Sequence, residues 1–335
     1  MSWLYEPEGG EHDLDESDVR IRPNPKGNRP RTKTRPEYKN APVGMVTGVD
    51  KSRYHVLLEQ DHRQVTATMG KELRKAGAVV GDRVALSGDT SDTVGALARI
   101  VRVEPRTSLL RRSADDTDQV ERVIVANADQ MAIVVAAANP EPRTRLIDRY
   151  LAAAYDANLK PILVITKTDL ADPTEFLENF SALDIPVIKT SQEKPDLEEL
   201  QKLLANHVTV TVGHSGVGKS TLVNALAPHA ERATGHVNEV TGRGRHTSSS
   251  ARAIDLGTGW IIDTPGVRSF GLGHVEVAGL AKSFTDLWEF AKDCPRDCSH
   301  LADSPDCKLD EAVEKNEISP ARVDSLRRLL SSLKG

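Results

Sequence analysis

Short β-branched or apolar runs, broken by glycines, follow residue 40. Val43–Val49, Tyr54–Leu58, Val65–Thr68, Arg83–Leu86 and Leu97–Val103 read as strands, with Gly70, Gly77, Gly81-Asp82 and Gly88-Asp89 between them. Five short strands in about seventy residues suit a small barrel of the oligonucleotide-binding or the SH3-like type. The pattern then alternates. Met131–Ala138 is a nearly continuous apolar run, as a parallel strand buried on both faces requires. Arg145–Ala157 places Leu146, Ile147, Tyr150, Leu151 and Ala154 on one helical face. Pro161–Ile165 reads as a strand, Asp172 or Thr174 as a helix start, Ile185–Lys189 as a strand and Pro195–Leu204 as a helix. Val208–Val212 is another strand, and Ala251–Leu256 and Trp260–Ile262 pair around Gly257-Thr258-Gly259. From Val277 the spacing is helical over Leu280–Phe290, Leu309–Lys315 and Pro320–Leu333. These patterns predict a barrel over 41–112, an α/β sheet over 113–275 and a mostly helical module over 276–335.

The first forty residues fit none of this. Residues 1–18 hold seven acidic side chains and no Lys or Arg, and residues 20–40 hold eight Lys or Arg against one Glu. With Pro23, Pro25, Pro30 and Pro36 interspersed, neither half can build a core, so 1–40 reads as a disordered extension. It is either a solubilising tail or a basic arm for RNA phosphates. The net charge of −5 confines any nucleic-acid contact to local patches. One such patch is the barrel, with twelve Lys or Arg against eight Asp or Glu over 42–112. Arg106, Arg111 and Arg112, at its exit, are a solvated linker or a backbone-contacting patch. The longest apolar runs are far too short to cross a membrane and the N-terminus is acidic, so a cytoplasmic, unexported chain is expected.

Candidate chemistry starts at Gly213. From Gly213 to Ser220 the chain spells G-x-x-x-x-G-K-S, with a β-branched run before it and helical spacing after it. Glycines let successive N–H groups of Gly213, His214, Ser215, Gly216, Val217 and Gly218 point at a phosphate. The helix N-terminus at Lys219, Ser220 and Thr221 adds partial positive charge. Lys219 would reach the β- and γ-phosphates, and the Ser220 hydroxyl would ligate Mg2+. Asp263, ending an apolar strand in Asp263-Thr264-Pro265-Gly266, could hold Mg2+ through water, with the Gly266 N–H at the γ-phosphate. Thr247 could complete the magnesium shell as part of a switch loop over 240–250. At the end of the Pro161–Ile165 strand stands Thr166-Lys167-Thr168-Asp169. There the Asp169 carboxylate can accept guanine N1–H and the exocyclic amine, with Lys167 over the base and Ser191 by its O6 edge. Adenine offers no such pairing, which weighs against a P-loop ATPase or kinase.

The three cysteines lie within fourteen residues of one another. Cys294, Cys298, His300 and Cys307 make a closed tetrahedral set suited to one structural Zn2+.

Taken in order, Thr166–Asp169, Ser191, Gly213–Ser220, Thr247 and Asp263–Gly266 are guanine-nucleotide elements in rotated sequence, base reading first and phosphate binding after. With the small barrel and the cysteine cluster, the chain closely resembles the circularly permuted, ribosome small-subunit-dependent GTPase A family over 41–335. The resemblance implies an oligonucleotide-binding-type barrel and GTP hydrolysis, slow alone and stimulated by the small ribosomal subunit. It also implies a role in late subunit maturation, with rRNA and GTP or GDP as partners. A GTP-gated rRNA-binding module with incidental hydrolysis is the alternative, and a monomer is expected. Thr166 stands where most GTPases have Asn, a variant associated with this family. The cysteine spacing differs by a residue on each side from the family pattern, and the first forty residues have no counterpart. Val267 occupies the place of the water-orienting glutamine of Ras-like enzymes. His246 is the candidate to orient water instead, as is proposed for the matching histidine of family members. The competing reading has His246 touching ribosomal RNA while the catalytic group arrives in trans.

Overall fold

Strands β1 (Val43–Asp50), β2 (Arg53–Leu58), β3 (Gln64–Met69), β4 (Arg83–Gly88) and β5 (Ala98–Val103) follow the apolar runs closely. They close a ring in the order β1-β2-β3-β5-β4-β1, antiparallel throughout except for β3 with β5. Alternate residues point inward: Val46, Val56, Leu58, Val65, Ala67, Val84, Leu86 and Ile100 fill the interior. The ring with one parallel pair is the oligonucleotide-binding type and decides against the SH3-like alternative. This computed structural model describes residues 38–70, 73, 77–91, 93, 95–113, 121–191, 197–228, 251–264, 272 and 275–333. The acidic-then-basic arm up to residue 37 lies outside them.

The second half of the sheet is parallel. Strands β8 (Gln130–Ala136), β9 (Lys160–Thr166), β10 (Val187–Lys189), β11 (Val208–Val212) and β13 (Trp260–Asp263) lie in the order β10-β9-β8-β11-β13. β12 (Arg252–Asp255) runs antiparallel to β13 and joins this sheet to β1 of the barrel. All seven residues of β8 are buried, as its apolar run predicted. Helices α3 (Glu198–Leu204) and α4 (Lys219–Leu226) cover one face of the sheet. α1 (Thr144–Asp156) and the C-terminal helices cover the other, and α2 (Thr174–Glu178) follows β9. The chain winds outward from β8 through β9 to β10, then returns to β8's other side at β11. That reversal makes the carboxyl ends of β8, β9 and β11 the topological switch point, where a doubly wound sheet binds its ligand.

Two expectations need correction. Arg106 is neither a solvated linker residue nor a patch. Its guanidinium donates to both carboxylate oxygens of the fully buried Asp82, each at 2.7 Å. Asp82 also accepts the Val79 N–H at 2.7 Å, so the pair pins the β3–β4 connection to the chain leaving the barrel. Arg111 and Arg112 lie in β6 (Leu109–Ser113), which pairs antiparallel with β7 (Glu121–Ala126) in a two-stranded sheet the apolar pattern does not mark. Breaking a buried ion pair from one side costs about 3–5 kcal/mol. Arg106→Met is therefore expected to lower stability by about 3 kcal/mol, read as a shifted urea midpoint. An unshifted midpoint would show that Asp82 tolerates losing its partner.

The second correction concerns the run over 280–290. It is two helices, α5 (Val277–Ser283) and α6 (Thr285–Ala291), parted at Phe284, whose φ of −94° and ψ of 76° are not helical. Neither glycine nor proline marks the break, and the Phe284 ring at it is buried. α7 (Lys308–Glu314) and α8 (Pro320–Ser332) complete the module. Val323, Leu326, Leu329 and Leu330 of α8 join Ile147, Tyr150 and Leu151 of α1 in one core, and Arg328 pairs with the buried Asp148 at 2.9 Å. Burial pushes the Asp148 carboxyl above its ordinary range, and Arg328 opposes the shift. Among the described residues no helix is long and apolar enough to cross a membrane.

Candidate functional site

The phosphate-type loop runs from the end of β11 to the start of α4. Gly213 is required by closeness: a Cβ there would lie 2.4 Å from the Val134 carbonyl oxygen of β8. Gly218 is required by conformation, with a φ of +90° at the N-cap of α4. No side chain caps α4, which leaves its first-turn N–H groups to a ligand in the loop. Lys219, in that first turn, donates to Asp263 Oδ1 at 2.6 Å and to the Thr264 carbonyl at 3.0 Å. Thr211 and Thr264 brace this pair across two strands. The Thr264 hydroxyl donates to the Thr211 carbonyl at 2.6 Å, and the Thr211 hydroxyl lies 3.3 Å from Asp263 Oδ1. The candidate cation-binding carboxylate and the candidate phosphate-binding ammonium are thus held within one hydrogen bond of each other. Ser220 and Thr221 are exposed beside them.

The Thr166–Asp169 segment meets the same loop from β9. The buried Thr166 hydroxyl donates to the Val217 carbonyl at 2.5 Å. The Lys167 ammonium donates to the Gly216 carbonyl at 2.8 Å and also to the Asn139 carbonyl in the turn after β8. Lys167 has a φ of +56°, which turns the chain sharply before the exposed Asp169. Ser191 follows Thr190, whose N–H donates to the Ile165 carbonyl at 2.8 Å and whose carbonyl accepts the Thr168 N–H at 3.3 Å. Thr166, Lys167, Asp169, Ser191, the Gly213–Thr221 loop and Asp263 therefore gather at one edge of one sheet. His214 lines a cleft beside the loop with Pro140, Glu141, Arg143, Leu146 and Tyr150. His246, Thr247 and Gly266 lie outside the described residues. No sequence motif marks Asn139 or the bracing contacts of Thr211 and Thr264. Asn139-Pro140 is a turn signal, but nothing in sequence marks a carbonyl as an acceptor. Thr211 was visible as a polar residue in a buried strand.

The cysteine cluster is compact. Ligand atoms of Cys294, Cys298, His300 and Cys307 all lie within 4.8 Å of one another. His300, Asp297 and Asp306 have positive φ, near +55° to +63°, in the turns that fold the chain back on itself. Burial pushes the Cys294 thiol up to about 12 and raises that of Cys307, with the neighbouring sulfurs adding to it. Burial, then Arg327, lowers the pKa of His300. Neutral imidazole and clustered sulfurs fit a soft divalent cation, whose charge makes coordinating thiols lose their protons. Arg327 fastens the cluster to α8, donating to the His300 carbonyl at 3.1 Å and to both oxygens of Asp310 at 2.8 Å.

Known proteins are similar to this chain. A family model described as RsgA GTPase matches residues 103–273. The small ribosomal subunit biogenesis GTPase RsgA 1 of Vibrio parahaemolyticus is 39% identical over 266 residues, 76% of this chain and 74% of that protein. RsgA of Ectopseudomonas mendocina is 40% identical over 265 residues, 76% of this chain and 75% of that one. The crystal structure of YjeQ from Thermotoga maritima superposes with a TM-score of 0.64 at 29% identity, covering 88% of this chain and 99% of that chain. YloQ, described as a circularly permuted GTPase, gives 0.63 at 25% identity, covering 89% of this chain and 96% of that chain.

Proposed function

The chain belongs to the RsgA GTPase family, and from that premise we propose that it hydrolyses GTP on the small ribosomal subunit during the subunit's late maturation. The observation that carries this reading is the grip of Thr166 and Lys167 on the Gly216–Val217 backbone. It holds the base-reading and phosphate-binding segments as one unit, though they come in inverted sequence order. In this reading Asp169 accepts from guanine N1–H and the exocyclic amine, with Lys167 over the base plane and Ser191 at O6. The Gly213–Gly218 amides and Lys219 hold the phosphates. Ser220, Thr247 and Asp263 would hold Mg2+, which would offset the charge building on the phosphate oxygens. The Gly266 N–H meets the γ-phosphate. Water attacks phosphorus, the bond to the β–γ bridging oxygen breaks, and GDP and phosphate leave.

Val267 offers water no hydrogen bond, so turnover alone is slow and His246 orients the water once the subunit is engaged. Positioned groups of this kind contribute on the order of a hundredfold. His246→Ala is expected to bind GTP normally and lose about a hundredfold of subunit-stimulated turnover; full stimulated activity would remove His246 from this role. The barrel over 41–112 faces rRNA, the basic half of 1–40 adds phosphate contacts, and Zn2+ on Cys294, Cys298, His300 and Cys307 is structural. The protein acts as a monomer in the cytoplasm. Co-sedimentation with small subunits tests the nucleotide gating. A non-hydrolysable GTP analogue should retain the protein and GDP should release it. Equal retention with both would contradict a release factor driven by hydrolysis.

A further inference from the structure

The first strand of the barrel changes partner along its length. Val43, Gly44 and Met45 pair with β4 and close the ring, whereas Gly48 pairs with Arg252 of β12. The change occurs at a bulge. Against β2 the register passes from Val46 opposite Val56 to Gly48 opposite His55, which leaves Thr47 as an extra residue. Bulges bend a strand and increase its twist. Here the bend separates the half of β1 that closes the barrel from the half that extends the nucleotide-binding sheet. Val49, just past the bulge, packs against both the barrel core and the core under α1.

The register places this junction in line with the phosphate site. Arg252 is the cross-strand partner of Asp263, and Asp263 is the partner of Thr211. One transverse row, Gly48–Arg252–Asp263–Thr211, therefore runs from the barrel wall to the carboxylate that Lys219 holds. Side chains fasten its barrel end. The Arg252 guanidinium lies 3.8 Å from Asp50 Oδ2, and the same oxygen lies 3.3 Å from His55 Nε2 on β2. A shift of β1 against β12 can reach Asp263 through two strand pairings.

We propose that Asp50 and Arg252 are positioning residues for GTP hydrolysis, carrying the seating of the barrel on subunit RNA to Asp263. The proposal rests on the reading of the chain as a subunit-stimulated GTPase. Neither residue touches the nucleotide in that reading. The pair is half exposed, so it is worth at most about 1 kcal/mol, or about fivefold in a rate.

Asp50→Asn, Arg252→Gln and the exchanged pair Asp50→Arg with Arg252→Asp are compared with the unaltered chain. GTP affinity, turnover alone, subunit affinity, subunit-stimulated kcat and melting temperature are measured for each. The two single variants are expected to lose about three- to fivefold in stimulated kcat, with the other four quantities unchanged, and the exchanged pair to recover most of that loss. Wild-type stimulated kcat in both single variants would overturn the proposal. So would a parallel loss of subunit affinity, or of turnover alone, since either would make the pair a docking or a purely structural feature. If the unaltered chain is not stimulated by small subunits, the functional reading itself fails and the proposal falls with it. That outcome is read before any variant is compared.

Discussion

Asp169→Asn is expected to weaken GDP and GTP binding by about a thousandfold and to admit xanthine nucleotides in their place. Guanine presents two donors on this edge, N1–H and the exocyclic amine, and an ionised carboxylate accepts both. An asparagine amide keeps one acceptor and turns the other position into a donor. The amide N–H then faces the guanine amine, donor against donor. Losing a charge-assisted bond and leaving a donor unmet costs about 4 kcal/mol, near a thousandfold. Xanthine carries a carbonyl where guanine has the amine, so it matches the amide. Isothermal titration with GDP and XDP decides the point. Preserved GDP affinity in the variant would mean that Asp169, exposed at the end of its turn, does not read the base.

Cys307→Ser is expected to release the metal and lower the melting temperature by about 5 °C. Tetrahedral zinc with bonds near 2.3 Å sets its sulfurs about 3.8 Å apart, a spacing that ligand atoms clustered within 4.8 Å reach with small side-chain shifts. Structural zinc supplies about 10–16 kcal/mol in small finger domains at neutral pH. Here α8 also docks on α1 through its own apolar face, so only part of that is at stake. A few kcal/mol in a chain of this size corresponds to about 5 °C. Native mass spectrometry and a thermal melt, with and without chelator, read the two effects. Substoichiometric zinc after mild purification, or a melt indifferent to the substitution, would contradict a structural metal.

The elements of the candidate site are the legible ones, because their physics is local. A β-branched run into Gly213 and helical spacing after Lys219 describe the phosphate loop without reference to the rest of the chain. The barrel strands were equally clear, since alternation reports one buried face. What stayed hidden depends on partners far away in sequence. Arg106 looks like any exit arginine until Asp82, twenty-four residues earlier, is found buried beneath it. β6 carries two adjacent arginines in five residues, and its pairing with β7 overrides that polarity. The bulge at Thr47 lies in the register of β1 against β2, and the double allegiance of β1 depends on its pairing with β12, two hundred residues away; no residue type announces either. The helix break at Phe284 falls at a buried aromatic with no helix-breaking residue to mark it.

The most direct test is GTP turnover by the intact chain, measured alone, with isolated small ribosomal subunits and with large ones. Slow hydrolysis alone, a large increase with small subunits and none with large subunits is the predicted result. Rates that are the same in all three mixtures, or raised equally by either subunit, would contradict the account.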